Sequence, residues 1–512
     1  MFAAGPAEPG RSAGRVRAPV AKTFRVYDQG QSLLLPPSLR DWLPEDHLAL
    51  FVSELVDEVL DLGPFLSAYT EARGYPPYDP RLMLKIVLYG YTTGVRSSRA
   101  IERRCHDDVA FRFLSANAAP DFRSVARFRR RHLLALEALF VQVLMLCREA
   151  GMASMGRVAL DGTKVKANAS RHKAMSYDRM GEAEARLAGE VEALLGEAER
   201  LDAEQDEALG PDERGADLCG ELARRESRLA KIRKAKADLE AQARDKAAAA
   251  ERDKACDGAQ RDGETVWTER GIEQPARPAG RAGDPAPAAG DAAGAERGSE
   301  QAKRVAETAA AATPEPRAQR NFTDPDSRIM KTADGSFHYC YNAQAVVDAD
   351  HQVIVATAFA ASGADSPAFA DLLDQTSANT GVVPDQTLAD AGYFSAGNVE
   401  AARARGTDAF IATGRLKHGD RVPDAPCGPA PEGATPKQRM AHKLRTTDGK
   451  AVYARRKVIV EPVFGQMKTT QGAGRLLLRG RQAALAEWRL MAACHNLRKL
   501  FSYSGIEGLA AT

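Results

Sequence analysis

"MGRVALDGTKVKANAS", residues 155–170, decides how this chain reads. An apolar run, Val158 to Leu160, stops at Asp161; Gly162, Lys164 and Lys166 follow. Asp-Gly pairs commonly punctuate strands, so the pair taken alone reads as a turn. A carboxylate at a strand's carboxyl end is also where α/β proteins build ligand sites. The rest of the chain has to decide between the two.

The pattern resumes at residue 321. "SFHYCYNAQAVVDADHQVIVATAFA" reads as two strands joined near "DADH". "DSPAFADLLDQTSANTG" reads as a helix with Ser366 as N-cap and Pro367 in its first turn. "DQTLAD" is a short strand, "SAGNVEAARARG" a helix and "DAFIAT" another strand. A strand, a hairpin and then alternating helix and strand predict an α/β core, a mixed sheet flanked by helices. That core is split into 151–178 and 321–480.

Residues 179–255 are rich in Glu, Ala, Arg, Lys and Leu, which predicts a long helical, coiled-coil-like insertion with "PDERGADLCG" as its turn. Residues 256–320 carry Ala, Gly, Pro and charge but few large apolar side chains, and read as a disordered linker. Such an insertion is tolerated where its two ends emerge close together. Ahead of the core, residues 23–150 have helical periodicity, as in "DPRLMLKIVLYGYTTG", and predict an all-α N-terminal domain. Residues 1–22 read as a flexible tail and 481–512 as a C-terminal helix and tail.

Composition narrows the class. Net charge is only +2, so a nucleic-acid partner has to be sought in local clusters. The seven cysteines are scattered, with no C-x-x-C pair, which speaks against a disulfide framework or zinc ribbon and for a reducing cytoplasm. The first residues lack the apolar segment of a signal peptide, and no stretch has the length of a membrane span, so no membrane association is expected.

Three acidic residues stand out. Asp161 is expected to end the first strand, Asp390 ends the strand in "QTLADAGYFS", and Glu461 lies in "YARRKVIVEPVFGQMK". Two strand-end aspartates and a glutamate from a flanking helix suit magnesium, a hard cation that prefers carboxylate oxygen and water. Two such ions can activate a nucleophile and stabilise the leaving oxygen of a phosphodiester. Pro462 puts Glu461 at a helix start or a kink. Lys468, seven residues on, shares its side of a helix and is placed to hold a phosphate.

Between Arg96 and Arg131 there are ten arginines and four acidic residues. "SVARFRRRH" interleaves Phe128 with Arg127, Arg129, Arg130 and Arg131, a pattern suited to phosphate contacts and guanine edges, or equally to a solvated basic face. "GRLLLRGRQ" is a second basic segment. His338 and Cys340 lack partners at metal-finger spacing and read as one strand face; His172 and His495 are also read as structural.

The succession "ALDGTKVKANAS", "FHYCYNAQAVVD", "LADAGYFS" and "YARRKVIVEPVFGQMK" resembles bacterial insertion-sequence transposases of the DDE type. "YDPRLMLKIVLYGYTTGVRSSRAIERRCHDDVAFRFLS" and "PDFRSVARFRRRH" resemble the helical domain that precedes their core. The long insertion after the first aspartate is similar to a variant of the group. The resemblance implies an RNase H-like fold, and cleavage and strand transfer of double-stranded DNA, at transposon ends and target, with Mg2+ or Mn2+. It implies Asp161, Asp390 and Glu461 as the metal-binding triad, with a homodimer in the paired-end complex. The group's signature of tyrosine, basic residue, glutamate and lysine falls on Tyr453, Arg456 or Lys457, Glu461 and Lys468. Arg456 keeps the spacing to Tyr453, whereas Lys457 keeps the spacing to Glu461. A non-catalytic DNA-binding descendant of such an enzyme and a nuclease without strand transfer are the alternatives.

Overall fold

A computed structural model describes residues 38–69, 77–209, 217–261, 290–360, 363–414, 425–426 and 428–506. The expected tail over 1–22 and the linker stretch 262–289 lie outside them. The first strand, β1 (Arg157–Lys166), runs through the Asp-Gly pair rather than ending there. Its neighbour explains why. β1 pairs antiparallel with a long strand, Phe337–Asp348, from Val158 opposite Asp348 to Lys166 opposite Cys340. Asp161 and Gly162 face Ala345 and Gln344 across this ladder, so their backbone is held as strand. The pairing that does stop at this point is on β1's other side. There a parallel ladder with Gln386–Ala389 ends at Leu160 opposite Ala389.

The remaining strands are β2 (Ala174–Ser176), β3 (Gln319–Asn321), β4 (Arg328–Lys331), β5 (Phe337–Asp348), β6 (Ile354–Ala360), β7 (Gln386–Ala389) and β8 (Asp408–Ile411). The main sheet has the order β4-β5-β1-β7-β8, with β6 also paired to β5. β5 is antiparallel to β1, β4 and β6, and β1, β7 and β8 are mutually parallel. The mixed sheet expected from the pattern is therefore present. Residues 339 to 348 of β5 are all buried, as befits a strand between two neighbours with both faces covered.

Among the described residues, seven α-helices precede the sheet: α1 (Leu48–Glu54), α2 (Gly63–Leu66), α3 (Pro80–Thr93), α4 (Ser98–Asp107), α5 (Val109–Leu114), α6 (Phe122–Arg131) and α7 (Leu133–Glu149). Side-chain caps set several starts: Asp79 accepts from Arg81 N, Ser97 from Ala100 N and Asp121 from Arg123 N. The insertion contributes α8 (Tyr177–Leu209), α9 (Asp217–Arg261) and α10 (Gly290–Ala311). The core adds α11 (Phe369–Thr380), α12 (Ala396–Ala404), α13 (Pro436–Arg445), α14 (Thr447–Thr469) and α15 (Arg481–Ser504). A short turn, Ser366–Ala368, leads into α11, so Ser366 lies inside it and makes no side-chain cap. α15 packs against α3, α7 and β6, and one contiguous apolar core runs from α1 through the sheet to α15.

The insertion departs from expectation. The stretch over 256–320 is not wholly without structure: α9 reaches Arg261, Gly290–Ala311 is helical and β3 follows. Alanine is the strongest helix former, and α9 gives α10 a partner, with Arg304 Nη2 2.9 Å from Glu251 Oε1. α8 and α9 form a hairpin over a small core of Met180, Leu187, Leu229, Ile232 and Leu239. The two ends of the insertion do meet. β2 pairs with β3, Tyr177 donates to Glu240 at 2.8 Å, and Arg320 Nη2 bridges to Asp238 at 2.8 Å. No helix among the described residues is long and apolar enough to cross a membrane.

Candidate active site

Strand register brings the first two carboxylates together. Leu160 and Ala389 are the last partners of the parallel ladder, so Asp161 and Asp390 are the next residues on adjacent strands. Adjacent strands lie about 4.8 Å apart. Asp390 leaves the sheet at that point and caps the turn Ala391–Tyr393, accepting from Gly392 N at 2.9 Å. Asp161 stays in its strand. Its Oδ1 accepts from Gly162 N at 2.8 Å and its Oδ2 from Arg456 Nη1 at 3.0 Å. The Asp161 side chain is only 19% exposed and that of Arg456 11%. Burial raises the Asp161 carboxyl above the ordinary carboxylate range; Arg456 and the Gly162 N–H oppose the rise, and the Asp390 charge adds to it.

α14 lays the other candidates along β1. Arg456 is buried at Asp161, whereas Lys457 is exposed, so the basic side chain at the site is Arg456. Tyr453 is half-buried beside Arg456; burial raises its hydroxyl's pKa and Arg456 counters that. Lys468 donates to Thr163 Oγ1, two residues along β1 from Asp161. Burial lowers the Lys468 pKa, and Asp161 opposes the fall.

Glu461 is placed differently from expectation. It neither starts a helix nor breaks one: α14 continues from Thr447 to Thr469 with Pro462 inside it. Proline has no N–H to offer the carbonyl four residues back. That carbonyl, Val458 O, accepts instead from Gln352 Nε2 at 3.0 Å, and the helix continues. Glu461 points into solvent with no ion-pair partner among the described residues. Seven residues at 100° each bring it within about 20° of Lys468 around the helix. The structure thus joins Asp161, Asp390, Arg456 and Lys468 at β1, and leaves Glu461 exposed on the Lys468 side of the same helix. Among the described residues, no group of three His, Cys, Asp or Glu side chains is gathered for a metal.

The arginines of α6 divide. Arg127 and Arg130 are exposed, and the inward member of the run is Arg129. Arg131 is exposed but lies over the Tyr69 ring, 4.3 Å from its centroid, and donates to Ala68 O. Arg129 is no surface residue. It is 6% exposed and donates to the Tyr91 hydroxyl at 3.0 Å, Arg96 O at 2.9 Å and Ser98 Oγ. At helical spacing one position of an arginine run must face inward, beside the buried Val125 and Phe128. His338 pairs with Ser336 Oγ at 2.7 Å, Cys340 is buried, and burial takes His495 down to about 4.

Four polar residues at the site were not singled out from the sequence. Asn342 and Gln344 are fully buried on β5, Tyr393 is buried in the turn after Asp390, and Asp365 lies just before α11. The Tyr393 hydroxyl donates to Gln344 Oε1. Burial raises its pKa well above the ordinary value, and the charges of Asp365, Asp161 and Asp390 raise it further. The available signal was two amides in the middle of a largely apolar strand, two residues apart and hence on one face.

Residues 37–131 match the family described as Transposase domain (DUF772), and residues 312–497 match the family described as Transposase DDE domain. No curated protein and no solved structure matches the chain. The first match covers the N-terminal helices α1 to α6, and the second runs from the end of the insertion to α15, taking in Asp390 and the helix that reaches Asp161. With a transposase-specific helical segment ahead of a DDE segment, the chain belongs to the insertion-sequence transposases of the DDE type.

Proposed function

We propose that this transposase binds the terminal inverted repeats of its element and carries out metal-dependent strand cleavage and strand transfer on an RNase H-like core. The observation that carries this reading is the β1–β7 register, which sets Asp161 and Asp390 side by side next to Arg456. The two carboxylates fit Mg2+ or Mn2+. Magnesium keeps several waters and commonly needs only one or two protein carboxylates. Bound there, such ions supply an activated hydroxyl and neutralise charge on the phosphodiester. Glu461 is the third carboxylate of the triad, and its place on α14 lets its side chain swing towards DNA and metal. Arg456 holds Asp161 in place. Lys468 and Tyr453 line the same strip of α14 and position phosphates. Arg127, Arg130 and Arg131 of α6 contact the DNA backbone, and two copies pair the element's ends.

The test is supercoiled plasmid carrying the native ends, incubated with MgCl2 and wild type, Asp161→Ala, Asp390→Ala or Glu461→Gln. Wild type gives nicked, excised and joined products, and each variant gives none. Equal cleavage by Asp161→Ala sinks the assignment. Cleavage without joined products identifies a nuclease, and binding without cleavage a non-catalytic descendant. Crosslinking on paired ends tests the dimer; a single copy per pair of ends rules it out.

A further inference from the structure

Successive residues of a strand face opposite sides of the sheet, and β1 uses both. Asp161 and Thr163 meet Arg456 and Lys468 of α14. Gly162 and Lys164 face the other way and meet Asp365, from the segment between β6 and α11. Asp365 Oδ1 accepts from Asn342 Nδ2 at 2.7 Å and Gln344 Nε2 at 2.8 Å, and Lys164 Nζ lies 3.7 Å away. Asn342 and Gln344 stand across from Lys164 and Gly162 in the β1–β5 ladder, and Gln344 is held by the Tyr393 hydroxyl. Anchored in this way, the Asp365 carboxylate has little room to yield.

A side chain at either glycine after the paired aspartates, Gly162 or Gly392, would run into it. A Cβ at residue 162 would lie 2.5 Å from Gln344 Nε2 and 2.8 Å from Asp365 Oδ1. A Cβ at residue 392 would lie 2.9 Å from Asp365 Oδ2 and 3.1 Å from Asp390 Oδ1. Neither position admits a side chain without displacing a neighbour. Gly392 N is also the donor to Asp390 Oδ1, so a shift of this backbone moves the Asp390 carboxylate with it.

We propose that Asp365 is a positioning residue that sets the Asp390 turn against the Asp161 strand from behind, and that Gly162 and Gly392 are glycines because Asp365 and its amide partner fill the space a side chain would need. This role rests on the reading of Asp161 and Asp390 as the metal-holding pair. Asp365 is not itself assigned as a ligand: its Oδ1 is taken by two amides, and its Oδ2 lies where a side chain at residue 392 would go.

The test is a double-mutant cycle on the full-length protein with Gly392→Ala, Asp365→Ala and both together, and with Asp365→Asn as the variant that keeps an Oδ1 acceptor. Mn2+ binding is read by the loss of the free-ion electron paramagnetic resonance signal. Thermal midpoint and affinity for an end duplex are measured beside it. Gly392→Ala and Asp365→Ala each weaken Mn2+ binding about 10- to 100-fold, as for other groups that orient metal ligands, with end-duplex affinity at the wild-type value. In the double variant the losses are less than additive, because the carboxylate that obstructs the new methyl group at position 392 is gone. Asp365→Asn, which keeps the shape and the Oδ1 acceptor, keeps the wild-type midpoint and restores Mn2+ binding to near the wild-type value. Strictly additive losses, or a lowered midpoint with wild-type Mn2+ binding in Asp365→Ala, overturn the role. Asp161→Ala separates the two failures. If it binds Mn2+ like wild type, the metal-pair reading falls. If it loses Mn2+ while Asp365→Ala retains it, only the positioning role falls.

Discussion

Glu487 on α15 is a single residue on which several parts of the fold depend. Its side chain is fully buried, and all four groups that reach it are donors. Oε1 accepts from Arg96 Nη1 and the Tyr91 hydroxyl, each at 3.2 Å; Oε2 accepts from Leu477 N and Leu478 N, each at 2.8 Å. Arg96 also donates to the carbonyls of Gly472 and Arg475. The segment held in this way completes the far end of Asp161's strand: Lys166 N donates to Gly474 O at 3.0 Å, and Leu476 N to Lys166 O at 2.8 Å. Glu487→Gln keeps the shape but has one acceptor atom in place of two. Its NH2 must then face either Arg96 and Tyr91 or two backbone N–H groups. Removing one partner of a buried ion pair costs about 3–5 kcal/mol. Arg96 retains its two carbonyl acceptors, so the lower end applies, about 3 kcal/mol. At roughly 2–4 °C per kcal/mol for a folding unit of this size, the midpoint falls by about 6–12 °C. Thermal unfolding followed by circular dichroism measures it. Glu54→Gln is the control: its partner Arg40 is 57% exposed, so the shift is expected to stay within about 0.5 kcal/mol. A Glu487→Gln midpoint matching the control would falsify the claim that this cluster ties the N-terminal helices to the site.

Arg456→Met removes the counter-charge at Asp161, so the carboxyl rises further above the ordinary range and the acid limb of the metal-dependent pH–rate profile moves to higher pH. The sign for stability is that of a raised carboxyl: the contribution is present below the ordinary value and lost as pH rises through the folded one, and in Arg456→Met it persists to higher pH. An unmoved acid limb would contradict the pairing. On α6, Arg127→Ala and Arg130→Ala each lower the salt slope of end-duplex binding by about 1 and leave the melting midpoint alone. Arg129→Ala instead costs about 2–3 kcal/mol of stability, because Tyr91 and Ser98 lose a buried partner. Salt titration and melting curves separate the two classes. Asp238→Ala leaves Arg320, 6% exposed, without its ion-pair partner and costs the insertion's base about 3 kcal/mol. Limited proteolysis is then faster within 177–261, whereas an unchanged cleavage rate would show that other contacts hold the hairpin.

The elements of the core were legible because each has a local cause. β5 and β6 are largely apolar runs between turn residues, β7 is a short run closed by Asp390, and α11 and α12 carry their helical spacing in single short segments. Where local signals compete with a distant partner, the partner wins. Asp161-Gly162 has the chemistry of a turn, yet β5 supplies backbone partners along the whole of β1. Pro462 has the chemistry of a helix break, yet Gln352, 106 positions away, takes the carbonyl it leaves unbonded. The Ala-rich stretch at 290–311 has too few large apolar residues to fold by itself, yet α9 offers it a face. None of these partners can be read from the stretch it acts on.

The same distinction runs through the site. Asp390 could be matched to Asp161 because both sit where a strand leaves its parallel ladder, a position that order along the chain reveals. Arg456 could not be separated from Lys457 by spacing. The two differ by 100° around α14, and only the packing of that helix on β1 decides which one turns inward. Arg129 was grouped with its neighbours for the same reason: a basic run shows how much charge a helix carries but not which member faces the core. Asp365 was passed over because its only local mark is a place ahead of a helix, where aspartate is common. What makes it part of the site is the space it fills beside two glycines, Gly162 directly after Asp161 and Gly392 two residues after Asp390. A missing side chain is visible in a sequence, whereas the group that needs the space is visible only once the strands are paired. In this fold the two aspartates can be recognised one at a time, but the contacts that hold them in register form between segments some two hundred residues apart.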